Sequence, residues 1–165
     1  MPVNHPLSPA PCRGVFDLLK RQLSISFPDA IDTLSVLLDS LAAGYRLKSQ
    51  IKQGSPWSTF FSPSIQAYLI SWFQYDPSLE IKRMKIPVLL IQGGTDLQVS
   101  LQDVRKLKAA LPPALLVILP EMNHILKDAP ADRQANLATY LDKDRPLDPQ
   151  LVKAVAGFIM NTALP

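Results

Sequence analysis

Residues 86–126 decide the fold of this chain, and they read IPVLLIQGGTDLQVSLQDVRKLKAALPPALLVILPEMNHIL. The order predicts a strand, a loop with an acid, a helix, a second strand and a loop with a histidine. Residues 87–91 are an unbroken apolar run that Gly93 and Gly94 close, and residues 114–119 repeat the pattern. Such runs are typical of strands that helices cover on both faces.

The helix between the two strands carries its own start signal. Ser100 is a good N-cap, and Asp103 stands three residues on, in the position of a capping box. One apolar stripe follows at helical spacing: Leu101, Val104, Leu107 and Leu111. Because a right-handed crossover puts the carboxyl ends of two parallel strands on one edge of the sheet, Asp96 and His124 are expected to face one crevice.

These residues resemble a known family, the α/β-hydrolases, in their carboxyl-terminal half. Gly93-Gly94-Thr95-Asp96 is similar to the G-x-x-D segment with the triad acid after that family's seventh strand. Glu121-Met122-Asn123-His124 is similar to the turn with the base after the eighth strand, although the family's glycine is missing. The resemblance covers residues 75–160, and more loosely the helices before them as the family's cap. It implies a partial α/β-hydrolase fold of the α/β class: a helical cap region, a βαβ unit with two parallel strands, and carboxyl-terminal helices.

The resemblance also implies an activity, that of an esterase- or lipase-like serine hydrolase acting on a carboxylic ester. Asp96 would be the acid that orients the imidazole, and His124 the base that takes a proton from a serine hydroxyl. The nucleophile of this family lies in a G-x-S-x-G elbow, and no such pentapeptide occurs in the 165 residues. Nothing before residue 86 predicts a strand of the sheet. We therefore expect the nucleophile-bearing half to be missing, the chain to be inactive alone, and an ester to bind only when an amino-terminal half completes the site.

Each site residue also has a simpler interpretation. An aspartate after a glycine pair is often a turn former, and a histidine after a strand often only braces its loop. Two other nucleophile candidates are weak. Ser49 and Lys52 spell S-x-x-K without its partner motifs, and Cys12 lies among prolines with nothing to lower its pKa.

A second function class stays open, a non-catalytic oligomerisation or protein-interaction module derived from a hydrolase. A two-stranded sheet is marginal in water, and its free edges expose unpaired N–H and C=O groups. We therefore expect a homo-oligomer whose interface includes the sheet edge, the helix over residues 64–73, or both.

Composition excludes several other classes of protein. The net charge is +3, and the basic cluster Lys82, Arg83 and Lys85 is too short to indicate nucleic acid. No run reaches the roughly 18 apolar residues of a membrane span, and the first residues do not form a signal peptide. The single Cys12 excludes an internal disulfide and suits a cytoplasmic location. No metal-ligand cluster or phosphate-binding loop occurs, so we expect neither metal nor cofactor.

The chain divides into three parts by pattern. Residues 1–13 are expected to form a flexible arm, residues 14–85 a helical cap-like region, and residues 86–165 the carboxyl-terminal part of a hydrolase core.

Helices are predicted over residues 14–27, 28–44, 64–73, 79–84, 132–141 and from 149 onward. The helix over 64–73 is apolar nearly all round and is expected to be buried, either between layers of the chain or against a partner. Five residues of the last helix are expected to face inward: Leu151, Val152, Val155, Phe158 and Ile159. Seven aromatic residues of the cap region are interpreted as core rather than as an apolar substrate pocket: Trp57, Phe60, Phe61, Tyr68, Trp72, Phe73 and Tyr75.

Overall fold

A computed structural model of the protein describes residues 13–47, 54–55, 57–59 and 61–162. Most of the predicted arm, Cys12, the Ser49 and Lys52 pair and Phe60 therefore lie outside the described residues. The chain divides into two compact units, Met1–Pro77 and Ser78–Pro165. The three-part division into arm, cap and core stays a prediction. Among the described residues, no helix combines the length and the apolar character that a membrane crossing needs.

The first unit is helical throughout its described part. Its elements are α1 (Arg13–Ser26), a 3-10 turn (Pro28–Ala30), α2 (Ile31–Ala42) and α3 (Pro63–Trp72). The predicted stripe of α2 is confirmed, because its four leucines are buried: Leu34, Leu37, Leu38 and Leu41. Gly44 ends this helix as predicted. Its φ is 86°, and the bonds Gly44 N to Leu41 O and Tyr45 N to Ser40 O form a Schellman motif.

The prediction that the helix over 64–73 is buried between layers of the chain is wrong, whereas its burial against a partner stays a prediction. Tyr68 on α3 is 60% exposed, whereas Gln66 is buried. The reason is that α3 packs one side only, with Leu69 and the following Phe73 in the leucine core. The Gln66 amide is buried there because it bonds backbone groups of Leu47 and Phe61. The core interpretation of the aromatics holds for Phe61 and Phe73, which are buried, and for Trp57 and Trp72, which pack against the core. Tyr68 and Tyr75 are exposed.

The second unit contains the predicted βαβ element. It comprises α4 (Pro77–Ile81), which begins at the boundary, β1 (Leu89–Gly93), α5 (Leu101–Ala110), β2 (Leu115–Leu119), α6 (Arg133–Ala138), a 3-10 turn (Thr139–Leu141) and α7 (Pro149–Thr162). β1 and β2 pair in parallel, from Leu89 opposite Leu115 to Gly93 opposite Leu119. The predicted capping box of α5 is present, with Ser100 and Asp103 bonded in both directions. Helices and two parallel strands in one sheet are thus confirmed; β1 begins two residues later than predicted.

The interior face predicted for α7 is wrong in three positions. Val152, Val155 and Ile159 are exposed, at 58%, 38% and 59%. Only the side of α7 with Ala154, Gly157 and Phe158 faces the sheet. A sheet of two strands is too narrow to cover more of the helix. Most of the apolar side chains of α7 thus have no cover within the described part of the chain.

Candidate active site

The two predicted site residues meet at the carboxyl edge of the sheet. Asp96 lies in the loop after β1, and His124 lies in the loop after β2. The His124 Nδ1 atom is 3.1 Å from the Asp96 Oδ2 atom, although 28 positions separate the residues in sequence. The carboxylate is 8% exposed and the imidazole 39%. The structure therefore places a buried acid against a solvent-accessible histidine, at the shared sheet edge that the strand order predicts.

The glycine pair allows the two loops to approach so closely. A Cβ atom on Gly93 would lie 2.0 Å from the Met122 carbonyl oxygen, and one on Gly94 would lie 2.3 Å from that of Pro120. The backbone of the His124 loop thus occupies the space that side chains would need. Hydrogen bonds then join the loops, from Gly94 N to Leu119 O and from Thr95 N to Met122 O. Any larger residue at either glycine would push the histidine away from the acid.

Each oxygen of the Asp96 carboxylate has a different role. Oδ1 accepts the backbone N–H groups of Gln98, at 2.7 Å, and Val99, at 2.9 Å. These bonds form the turn that the simpler interpretation of Asp96 predicts. Oδ2 accepts from His124 Nδ1 and from Gln92 Nε2, each at 3.1 Å. Asp96 is therefore a turn former and the partner of the histidine at once.

A small closed loop holds His124 in place. Asn123, which is 1% exposed, accepts the backbone N–H groups of Ile125 and Lys127 with its Oδ1 atom, both at 3.2 Å. Met122 and Asp128 pair as an antiparallel bridge at the base of the loop. Leu126 takes a φ of 65° to close it, which is uncommon for a residue other than glycine. His124 thus projects from a rigid turn.

Buried polar residues of the α6 region form hydrogen bonds with both the loop that carries Asp96 and the loop that carries His124. The Asn123 Nδ2 atom donates to Asn136 Oδ1 at 3.3 Å and to Thr139 Oγ1 at 2.8 Å. Asn136, which is fully buried, donates in turn to the Thr95 carbonyl at 2.9 Å. One asparagine therefore contacts both the acid loop and the histidine loop.

Neither these supporting residues nor Gln92 is predicted from the sequence. A weak signal was available for Asn136, since asparagine is unfavourable inside a helix unless its side chain finds a specific partner. Gln92 is the one polar residue at the end of an apolar strand, and it is only 6% exposed. A polar side chain buried in a strand is expected to have hydrogen-bond partners.

The arrangement can orient a proton acceptor. An ionised carboxylate only accepts hydrogen bonds, so the contact with Asp96 assigns the proton to Nδ1 and leaves the Nε2 lone pair free. Nε2 makes no hydrogen bond with any described residue, and so none with a described serine hydroxyl. Within the described chain, no nucleophile that such a pair would activate is therefore hydrogen-bonded to it.

The site shows no similarity to a known protein that would assign its chemistry. No family model, no curated protein and no solved structure matches the chain. Nor do the described residues contain three or more His, Cys, Asp or Glu side chains grouped as metal ligands. The geometry of Asp96 and His124 is therefore the basis for a functional assignment.

Proposed function

We propose that this chain supplies the acid and the base of a serine-hydrolase triad. It would be the carboxyl-terminal portion of an esterase- or lipase-like enzyme of the α/β-hydrolase fold that acts on a carboxylic ester. The observation that carries the proposal is the 3.1 Å contact between His124 Nδ1 and Asp96 Oδ2 at the carboxyl edge of parallel strands. The nucleophilic serine would come from a segment or chain that contains the G-x-S-x-G elbow.

The chemistry requires little of this chain beyond orientation. His124 Nε2 would take the serine proton while the serine oxygen attacks the ester carbonyl, and the imidazolium would then give that proton to the leaving alcohol. Water would attack the acyl-enzyme with the same base, releasing the acid and restoring the serine. Asp96 stabilises the imidazolium in both steps and remains a carboxylate. The Asp96 carboxylate is only 8% exposed and accepts hydrogen bonds from four N–H groups, which hold it in place.

The test is reconstitution with a separate polypeptide that carries the missing strands and the elbow. The chain alone should not turn over small activated esters, because the pair has no hydroxyl to activate. In the reconstituted enzyme, Asp96→Asn and His124→Ala should each lower kcat by on the order of 10³-fold or more. The matched controls are His5→Ala, at the other histidine of the chain, and Asp144→Asn, at an exposed aspartate of the same unit.

Two results would contradict the proposal. One is a reconstituted enzyme that is indifferent to both Asp96→Asn and His124→Ala. The other is turnover by the chain alone that disappears in His124→Ala, since this would reveal a nucleophile within the 165 residues.

A second candidate function is an oligomerisation module, and the surface of the second unit favours it. A groove of about 660 Å³ lies between α7 and the sheet, and its floor includes Leu115, Val117 and Leu119. The opposite side of α7 exposes valine and isoleucine. Exposed apolar patches of this kind mark interaction surfaces. A chain that assembles but never gains activity with an elbow-bearing partner would favour this candidate.

A further inference from the structure

We infer that Gln92 is a positioning residue that fixes the Asp96 carboxylate for His124. A contribution of Gln92 to catalysis rests on the proposed function. Its effect on the orientation of the imidazole does not depend on that proposal. The Gln92 side chain lies at the carboxyl end of β1 and is buried. Its Nε2 atom is 3.1 Å from Asp96 Oδ2, the same oxygen that accepts from His124.

The surroundings of the amide assign its orientation. Three oxygen atoms lie within hydrogen-bond distance of Gln92 Nε2: Asp96 Oδ2 at 3.1 Å, Val99 O at 3.1 Å and Gly93 O at 3.2 Å. All three are acceptors. The flipped amide would place its own oxygen against them, which is repulsive, so the nitrogen must face the acid.

The consequence for Asp96 is that its carboxyl plane cannot turn. Oδ1 is held by the backbone of Gln98 and Val99. Oδ2 is held by Gln92, and its remaining acceptor capacity is directed at the imidazole. Because Gln92 also binds the Val99 carbonyl, it ties the strand to the far end of the acid loop. A fixed acceptor keeps one tautomer of His124, with the proton on Nδ1.

A purely structural role makes a different prediction. If Gln92 only satisfied the Gly93 and Val99 carbonyls, its loss would lower the free energy of unfolding and leave the His124 tautomer unchanged. The chain contains a matched control. Gln66 is also buried, and its amide likewise joins backbone groups, at Leu47 and Phe61, but it lies in the other unit.

The experiment is nitrogen NMR of the imidazole in the chain labelled at histidine. Only two histidines occur, so His5→Gln leaves His124 as the single signal. With the imidazole in its neutral form, the protein that retains Gln92 should give well-separated resonances, Nδ1 as the protonated nitrogen and Nε2 as the bare one. In Gln92→Leu the two resonances should move toward each other as the second tautomer becomes populated. In Gln66→Leu they should stay in place.

A second variant keeps the test decisive if leucine prevents folding. Gln92→Asn keeps a polar amide but is one methylene shorter, so it should lose the Asp96 contact and show the same convergence. Unchanged His124 resonances in a folded Gln92→Leu or Gln92→Asn protein would overturn the inference. Equal shifts in Gln66→Leu would overturn it as well, because they would reflect general loosening.

Failure of the proposed function would look different. If tautomer control by Gln92 is found but reconstitution with an elbow-bearing polypeptide gives no esterase, the positioning role stands and the hydrolase proposal does not. If reconstitution succeeds, Gln92→Leu should lower kcat about 10-fold, less than the loss in Asp96→Asn, because the acid is still present but no longer fixed. An active enzyme with an unchanged tautomer in Gln92→Leu would reject the positioning role alone.

Discussion

At the scale of single residues, the site depends on glycine as much as on its polar side chains. Gly93 and Gly94 do not have positive φ values, so backbone conformation is not the reason for them. They are needed because the carbonyl groups of Met122 and Pro120 occupy the positions of their missing Cβ atoms. The loop with the acid and the loop with the histidine can approach only across residues without side chains.

Gly93→Ala should therefore destabilise the second unit by about 1–3 kcal/mol, the usual cost of forcing an extra group into packed structure. It should also separate Asp96 from His124. The matched control is Gly157→Ala in α7, where a Cβ atom would meet nothing within 4 Å. Since alanine is a better helix former, that variant should gain up to about 1 kcal/mol.

The stability of the second unit must be measured with a signal that comes from that unit. Both tryptophans, Trp57 and Trp72, belong to the first unit, so tryptophan fluorescence does not follow the site. Hydrogen exchange of the strand amides in β1 and β2 does. Equal protection of these amides in Gly93→Ala and Gly157→Ala would show that the close approach of the loops is not required.

At the scale of elements, the carboxyl group of Asp128 in the histidine loop interacts electrostatically with that of Asp148 at the start of α7. Asp148 is 1% exposed. Its Oδ1 atom accepts the Gln150 N–H at 2.7 Å, as expected for the predicted cap of α7, whereas its Oδ2 atom has no hydrogen-bond partner. Asp128 closes the histidine loop. Partial burial and the neighbouring carboxylates of Asp148 and Glu121 raise the pKa of Asp128 above its ordinary value of 3.8, and Arg145 opposes this only in part.

The direction of the pH effect follows from this raised pKa. The folded protein holds the Asp128 proton more tightly than the unfolded chain does. The contribution of Asp128 to the free energy of unfolding is therefore complete at pH values below 3.8 and is lost as the pH rises through the raised pKa. Above that range, two carboxylates face each other at the base of the histidine loop.

Asp128→Asn should remove the loss of stability at higher pH, because an asparagine amide can donate a hydrogen bond to the unpartnered Asp148 oxygen at every pH. We expect the variant to be more stable than the parent at neutral pH by about 1 kcal/mol, with little or no gain in acid. Urea unfolding at several pH values, followed by circular dichroism, checks this. Asp144→Asn, at an exposed position, is the control. A parallel pH dependence in parent and Asp128→Asn would refute the pairing.

At the scale of the whole molecule, the two units bury their apolar residues unequally. The first unit has a continuous core of buried leucine and phenylalanine. In the second unit, few strand residues are buried, and no third strand joins the sheet among the described residues. Free strand edges and uncovered apolar helix faces favour association with another chain.

We therefore predict a homodimer or larger assembly of the chain at micromolar concentration, measured by sedimentation. A charge on the exposed side of α7, as in Val152→Glu or Ile159→Glu, should weaken it, and these exposed positions allow the change without loss of folding. Gln102→Glu, at an exposed position of α5 away from the groove, adds the same charge without removing an apolar group. A folded monomer throughout the micromolar range would be incompatible with this prediction.

The sequence alone predicted the two strands, the start of α5 and the meeting of Asp96 with His124. Uninterrupted apolar runs ending at glycine predicted both strands, the Ser100 and Asp103 pair predicted the start of α5, and strand order predicted that Asp96 and His124 share one edge. These features are local in sequence, or follow from the handedness of a crossover, so residue types are sufficient to predict them.

Only the tertiary structure decided what surrounds the pair and which faces are covered. Gln92, Asn123 and Asn136 act through partners distant in sequence or on other elements, and no local pattern specifies a distant hydrogen bond. The inward face predicted for α7 was wrong for a related reason. Helical periodicity shows where apolar residues lie on a helix, but the surface available to bury them is set by the neighbouring elements, and here that surface is a sheet of two strands.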